Sequence, residues 1–248
     1  MLPDATLPSR RDSQYAIALR QPRFAEHCEL GIARVDDPRL AGVAALLYDG
    51  PAGATNGDNG RLRSSADVER NLSAMQLHRT DLGWRTLVFA RAALPPAQPV
   101  PPRSVHLAGQ GIAVFRRDFG RTYVALDYGE TGGGHGHPDR LNMLLMDGPV
   151  RWLDDMGTGS YVDRSLHWYR STLAHNAPLV DGRSQHRVPG RLLAYDERGA
   201  AGWIHARVEG ASPGVAIDRT LVVMTDYAVD QVRWRATRAG ATSRASRR

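Results

Sequence analysis

The sequence predicts an α+β, multidomain chain in which an N-terminal helical segment precedes an antiparallel β-sandwich. Three observations predict it. Apolar residues recur at helical spacing over the first ninety positions; the stretch Leu94 to Arg103 holds five prolines in ten residues; and beyond it come short β-like runs separated by Gly, Asp and Pro. A chain of 248 residues that is 42% apolar can bury one good core or two smaller ones.

The elements follow in order. Pro22 suits the first position of a helix that carries Phe24, Cys28, Leu30, Ile32 and Val35 at roughly helical spacing. Asp36 or Asp37 caps a second helix, with Pro38 again at its start and Leu40, Val43, Ala44, Leu46 and Leu47 as its apolar face. Ser64 or Ser65 caps a third through Val68, Leu72 and Met75. The proline-rich stretch cannot continue a helix or enter a central strand, so residues 1–93 form the helical segment and 94–103 the linker. The sandwich occupies 104–231, with strands expected at Gly111 to Arg116, Thr122 to Tyr128, Leu141 to Met146, Val150 to Leu153, Trp203 to Val208 and Leu221 to Thr225. Residues 232–248 carry six Arg and no acidic residue and read as a disordered tail.

The net charge of +6 comes from Arg alone, for the chain contains no Lys. A genome rich in G and C accounts for that bias, while the planar guanidinium fork also matches carboxylate and sulfate groups. No apolar run approaches the roughly 18 to 20 residues of a membrane span, and no nucleic-acid-binding motif is present. Cys28 is the only cysteine, which excludes an intrachain disulfide, and is expected to be buried and inert. The start Met1-Leu2-Pro3-Asp4 reads as the middle of a longer protein, and the oligomeric state is not legible.

Chemistry concentrates between Thr131 and Gln185. In Gly132-Gly133-Gly134-His135-Gly136-His137-Pro138-Asp139, two histidines stand at i and i+2, and on an extended backbone they point the same way and converge on one site. A strand-turn-strand pattern around Asp147-Gly148-Pro149 brings Asp155 back beside them, and His175 follows. Two imidazoles and a carboxylate are a common first shell for zinc. The polar, Pro-flanked stretch Arg10-Arg11-Asp12 is a candidate to face the groove, with Arg10 and Arg11 holding substrate carboxylates; Tyr161 and Tyr169 are candidates for hydrogen-bonding sugar, and Arg170 for pairing with a nearby carboxylate.

The blocks GGGHGHPD, LDDMGTGSY and WYRSTLAHN followed by LVDGRSQ resemble, in order and spacing, those of the heparinase II/III C-terminal domain. That resemblance implies the end of an incomplete α/α toroid joined to the sandwich, and cleavage of a uronate-containing acidic polysaccharide, such as a glycosaminoglycan or alginate, by β-elimination. It implies His135 in the catalytic groove as general base or acid, and a largely structural Zn2+ on His137, Asp155 and His175, with Asp155 preferred to its neighbour Asp154. It also implies a periplasmic or cell-envelope location. The family's catalytic Tyr and its Asn or His ordinarily lie well over a hundred residues before the His pair, so the chain reads as a fragment lacking part of the catalytic set; Tyr15 is not assigned that role. Two alternatives stay open: a cupin-like metalloenzyme, although the Glu expected shortly after the pair is missing and Asp139 stands there instead, and a non-catalytic carbohydrate-binding or structural zinc sandwich.

Overall fold

The computed structural model describes residues 1–15, 17–35, 37–48 and 77–236. The chain divides into two compact units, Met1–Pro8 with Ala16–Pro101 and Ser9–Tyr15 with Pro102–Arg248. The division falls inside the proline-rich stretch, and a short segment from near the N-terminus belongs to the second unit.

In the first unit, α1 (Pro22–Arg34) and α2 (Pro38–Tyr48) each begin with proline, whose missing N–H costs nothing there. Asp37 caps α2 by accepting the Arg39 N–H at 2.9 Å. The buried face of α1 is Ala25, Glu29 and Ile32, with Cys28 half-buried, whereas Leu30 and Val35 are exposed, as is Leu46 of α2. The expected apolar faces are therefore only partly right. Glu29 turns inward because its charge is met there, by Arg79 Nε at 2.8 Å and the Tyr48 hydroxyl at 2.9 Å. A short α3 (Thr86–Phe89) follows, and the expected helix from Ser64 or Ser65 to Met75 lies outside the described residues.

The second unit contains two antiparallel sheets. One has the order β1 (Val105–Leu107), β2 (Ile112–Arg117), β3 (Thr122–Asp127), β4 (Asn142–Asp147), β5 (Val150–Leu153); the other runs β6 (Gly190–Glu197), β7 (Gly202–Ser212), β8 (Val215–Val223), β9 (Ala228–Ala236). Alternate residues Ala113, Phe115, Val124, Leu126 and Met143 of the first sheet pack in one core with Ile204, Ala206, Val208, Ile217 and Leu221 of the second. A single-turn α4 (Leu166–Tyr169) lies in the long connection between the sheets.

The tail expected from residue 232 is instead strand as far as Ala236, paired Ile217↔Trp234 and Val215↔Ala236 with β8. Val232 and Trp234 pack against the core while Arg233 and Arg235 alternate with them. A count of Arg hides that period of two, which is what a strand on a half-buried sheet requires. Residues 237–248 lie outside the described residues.

Two buried arginines link the layers. Arg117 pairs with Glu197 at 3.2 Å and donates to Val223 O at 2.9 Å. Arg219 of β8 pairs with Asp230 at 2.7 Å and reaches Leu141 O at 2.7 Å and Asn176 O, carbonyls of the loops that carry the site described below. Arg219→Met leaves those acceptors and Asp230 without their cation, so we expect a loss of about 3–5 kcal/mol. That corresponds to a fall in melting temperature on the order of 10 °C. An unchanged melting temperature would show that the link is dispensable.

Candidate functional site

The loop from β3 to β4 carries the glycine run and both histidines. Gly133–His135 forms one 3-10 turn, and the chain straightens at Gly136. A Cβ at Gly136 would lie 1.5 Å from Thr131 O, so only glycine allows the backbone to pass that close. The bend separates the two histidines, and their expected convergence is only partial: the His135 side chain is 81% exposed and that of His137 is fully buried.

Arg140, with no exposed side-chain surface, fastens this loop from within. Its Nη1 donates to Gly129 O and Glu130 O, both at 2.9 Å, and approaches Asp127 Oδ1 at 3.3 Å, while Nη2 pairs with Asp139. Gln185 accepts the Arg140 N–H at 2.9 Å and donates to Arg140 O at 3.0 Å. A buried guanidinium is tolerable because its charge and most of its donors are met.

Two further loops complete the site. The β4–β5 hairpin, turned at Gly148 (φ 53), brings Asp155 back to β4, where Asn142 Nδ2 donates to its Oδ2 at 2.8 Å and the Gly157 N–H to its Oδ1 at 2.8 Å. After the 3-10 turn Thr172–Ala174, His175 enters buried, and Asn176 N–H donates to Asn142 Oδ1 at 3.0 Å.

His137 Nδ1 faces His175 Nε2 at 3.3 Å. His137 and His175 form a tight cluster of possible metal donors with Asp139, all buried. The sequence reading placed Asp155 in that set, but Asp155 lies 3.3 Å from Nδ1, the other ring nitrogen of His175, and Asp139 occupies the donor cluster. Each histidine thus has a carboxylate behind it, Asp12 Oδ1 at 2.9 Å from His137 Nε2 and Asp155 behind His175. This is how metal-binding imidazoles are oriented, with one nitrogen donating to an acid and the other turned to the ion.

Zinc fits this donor set. Two nitrogens each about 2.05 Å from a tetrahedral zinc lie about 3.3 Å apart, and the observed separation is 3.3 Å. Asp139 Oδ2 is buried and has no hydrogen-bond partner, an orphaned acceptor that a cation would satisfy. His175 Nδ1 stands 3.3 Å from Asp155 Oδ2 without a well-aligned hydrogen bond. Although burial opposes the charged ring, the neighbouring Asp155 carboxylate raises the His175 pKa above its ordinary value. Burial lowers that of His137, with Asp12 opposing, and so favours the neutral ring that a metal requires.

Asp12 belongs to the Arg10-Arg11-Asp12 stretch that the sequence set toward the groove, but its part at the histidines was not foreseen. Its carboxylate, with a side chain only 4% exposed, accepts from His137, from His135 Nδ1 at 3.0 Å, from the Tyr161 hydroxyl at 2.8 Å, and from Arg170 through Nε at 3.0 Å and through Nη2. Burial alone would raise its pKa, but the hydrogen bonds from Arg170, His137, Tyr161 and His135 hold it well below the usual carboxylate range. The expected pairing of Arg170 with a carboxylate is therefore found.

Of the other candidates, only Tyr161 joins this cluster. Arg10 pairs with Asp127 and Gln110, and Arg11 donates to Glu130 O, so both anchor the N-terminal segment within this unit. Tyr161 is 58% exposed beside Asp12. Tyr169 is half-buried, edge-on to Trp168 with ring centroids 5.1 Å apart. Tyr15 donates to Asp154 Oδ2 at 2.7 Å, which with Arg151 at 2.9 Å occupies that carboxylate. Asp139 had a local signal, a carboxylate two residues after His137; Asp12 had only its place beside Arg10 and Arg11, and nothing that tied it to a histidine 125 residues away.

Among solved structures, the chain is similar to the Heparinase III-BT4657 gene product (14% identity over 95% of this chain, TM-score 0.58). It is also similar to heparan sulfate lyase HepC from Pedobacter heparinus (17% over 93%, TM-score 0.57) and to a heparinase III (13% over 90%, TM-score 0.59). The chain spans 30% of the length of each, and at these identities the likeness is one of fold. No curated protein matches. The family model described as Heparinase II/III-like, C-terminal matches residues 99–235, which is more than half of the sequence, contains every donor of the histidine cluster, and sets the cupin-like alternative aside. The chain belongs to the heparinase II/III-like C-terminal family.

Proposed function

We propose that this unit forms the sandwich wall of a lyase groove that takes a uronate-containing acidic polysaccharide, with His135 as the proton-transfer group and a zinc ion buried behind it. The observation that carries this reading is the contrast within one motif: His135 projects to solvent while His137, two residues on, is sealed in a metal-type cluster. A β-elimination removes the proton alpha to the uronate carboxylate, and an accessible imidazole held by a carboxylate can accept it. Charge then develops on the uronate carboxylate and needs neutralising donors. Exposed Arg164, Arg183 and Arg187, on the connection between β5 and β6, suit the attraction of such a polyanion.

In this reading His137 Nδ1, His175 Nε2 and Asp139 hold the zinc, and Asp155 orients His175. When bound, the metal supplies a crosslink between the loop after β3 and the loop after α4, a structural role consistent with the burial of all three donors. The helices of the first unit would be the end of an incomplete α/α toroid, and the setting the periplasm or cell envelope.

The test is appearance of unsaturated uronate, followed by ultraviolet absorbance, when the chain meets heparan sulfate or alginate. We expect uronate polymers to bind and a neutral glucan not to, and any turnover to fall by about 10²–10⁴ in His135→Ala. Binding without turnover would mean that the chain supplies one wall of the groove alone. Failure to bind any uronate polymer would overturn the reading in favour of a structural zinc sandwich.

A further inference from the structure

We propose that Asp12 is a positioning residue that fixes the tautomers of both histidines of the His-Gly-His pair, setting one imidazole for metal and the other for solvent. The proposal extends the reading above of His137 as a metal ligand and His135 as the proton-transfer group.

The geometry is specific. A neutral imidazole has one N–H and one bare nitrogen, and an acid that accepts the N–H decides which nitrogen is bare. Asp12 Oδ1 lies 2.9 Å from His137 Nε2, so the proton sits on Nε2 and the bare Nδ1 is the nitrogen facing His175 Nε2. Asp12 Oδ2 lies 3.0 Å from His135 Nδ1, so there the proton sits on Nδ1 and the bare nitrogen is Nε2, on a side chain that is 81% exposed. One carboxylate therefore selects opposite tautomers in two rings two residues apart.

Asp12 is itself held for this task. Arg170 grips both of its oxygens and Tyr161 donates to Oδ2, which with the two histidines makes five donors on a carboxylate that has about four lone-pair sites. The carboxylate has no capacity left for other partners and little freedom to rotate. Its backbone is fixed as well, since the Asp12 N–H donates to His135 O at 3.2 Å.

The experiment reads tautomers directly, from long-range 1H–15N correlation spectra of the histidine rings in the wild-type chain and in Asp12→Asn and Asp12→Glu. In the wild type we expect His135 as the Nδ1–H form and His137 with its proton on Nε2, zinc present. Asp12→Asn, whose amide has a single acceptor oxygen, is expected to turn His135 into a mixture of both tautomers and to weaken zinc binding by about 10–100-fold in competition with a chromogenic chelator. Asp12→Glu is expected to restore part of both. The opposite tautomer on either ring in the wild type would overturn the proposal without any variant having to fold, as would unchanged tautomers and zinc affinity in a folded Asp12→Asn. None of these readouts needs substrate, so absence of lyase activity leaves the proposal standing, and wrong tautomers leave the lyase reading to its own assay.

Discussion

His137→Ala is expected to abolish zinc binding and to remove the stabilisation that zinc provides. A ligand present at about a thousand times its dissociation constant contributes about 4 kcal/mol. For a chain of this size that corresponds to a fall in melting temperature on the order of 10 °C. The wild type treated with a chelator should fall by a similar amount, and the variant should not respond to chelation at all. A paired comparison separates the two carboxylates near the cluster. Asp139→Asn removes a donor and should eliminate tight binding, whereas Asp155→Asn removes an orienting acid and should weaken it by about 10–100-fold. If Asp155→Asn loses the metal and Asp139→Asn keeps it, the ligand expected from the family pattern is the right one and the cluster as described is wrong. A folded wild type that binds no zinc would dismiss the metal reading altogether.

Arg140→Met should be nearly as damaging, by a different route. The guanidinium has no exposed surface, and its removal leaves the buried Asp139 without its cation and takes one donor each from Asp127, Gly129 O and Glu130 O, which keep Arg10, the Gly190 N–H and Arg11 respectively. Breaking a buried pair by deleting one partner costs about 3–5 kcal/mol. Unlike His137→Ala, this change should lower the melting temperature even in chelator, because the loss comes from the loop and not from the metal. Zinc affinity should fall too, since Asp139 would lose the neighbour that positions it. Denaturation in chelator and a zinc titration together decide the matter: full stability in chelator would mean that the loop does not depend on Arg140.

Much of the architecture was legible. Pro22 and Pro38 marked the starts of α1 and α2, the run of prolines marked the region where the units divide, and the alternating runs beyond it marked strands. These signals are local: proline fixes φ and lacks a donor wherever it stands, and a half-buried strand shows a period of two in its own residues. The end of β9 was misread because composition was given more weight than period. The inward turn of Glu29 was missed because a charge goes inside only when a partner waits there, and Arg79 stands fifty residues away.

The site divides along the same line. From the sequence alone came the glycine run, the His-Gly-His pair, the two later blocks holding Asp155 and His175, and hence the expectation of a metal beside a groove histidine. Only the tertiary structure decided that His135 faces water while His137 is sealed, that Asp139 stands in the donor cluster with Asp155 behind His175, and that Asp12 joins both histidines. The spacing of residues along a chain determines which side chains share a strand or a turn. Which acid meets which imidazole depends on where segments far apart in the chain are held together, by Arg10 and Arg170 across more than a hundred residues and by Arg219 across 78, and that is a property of the packed structure.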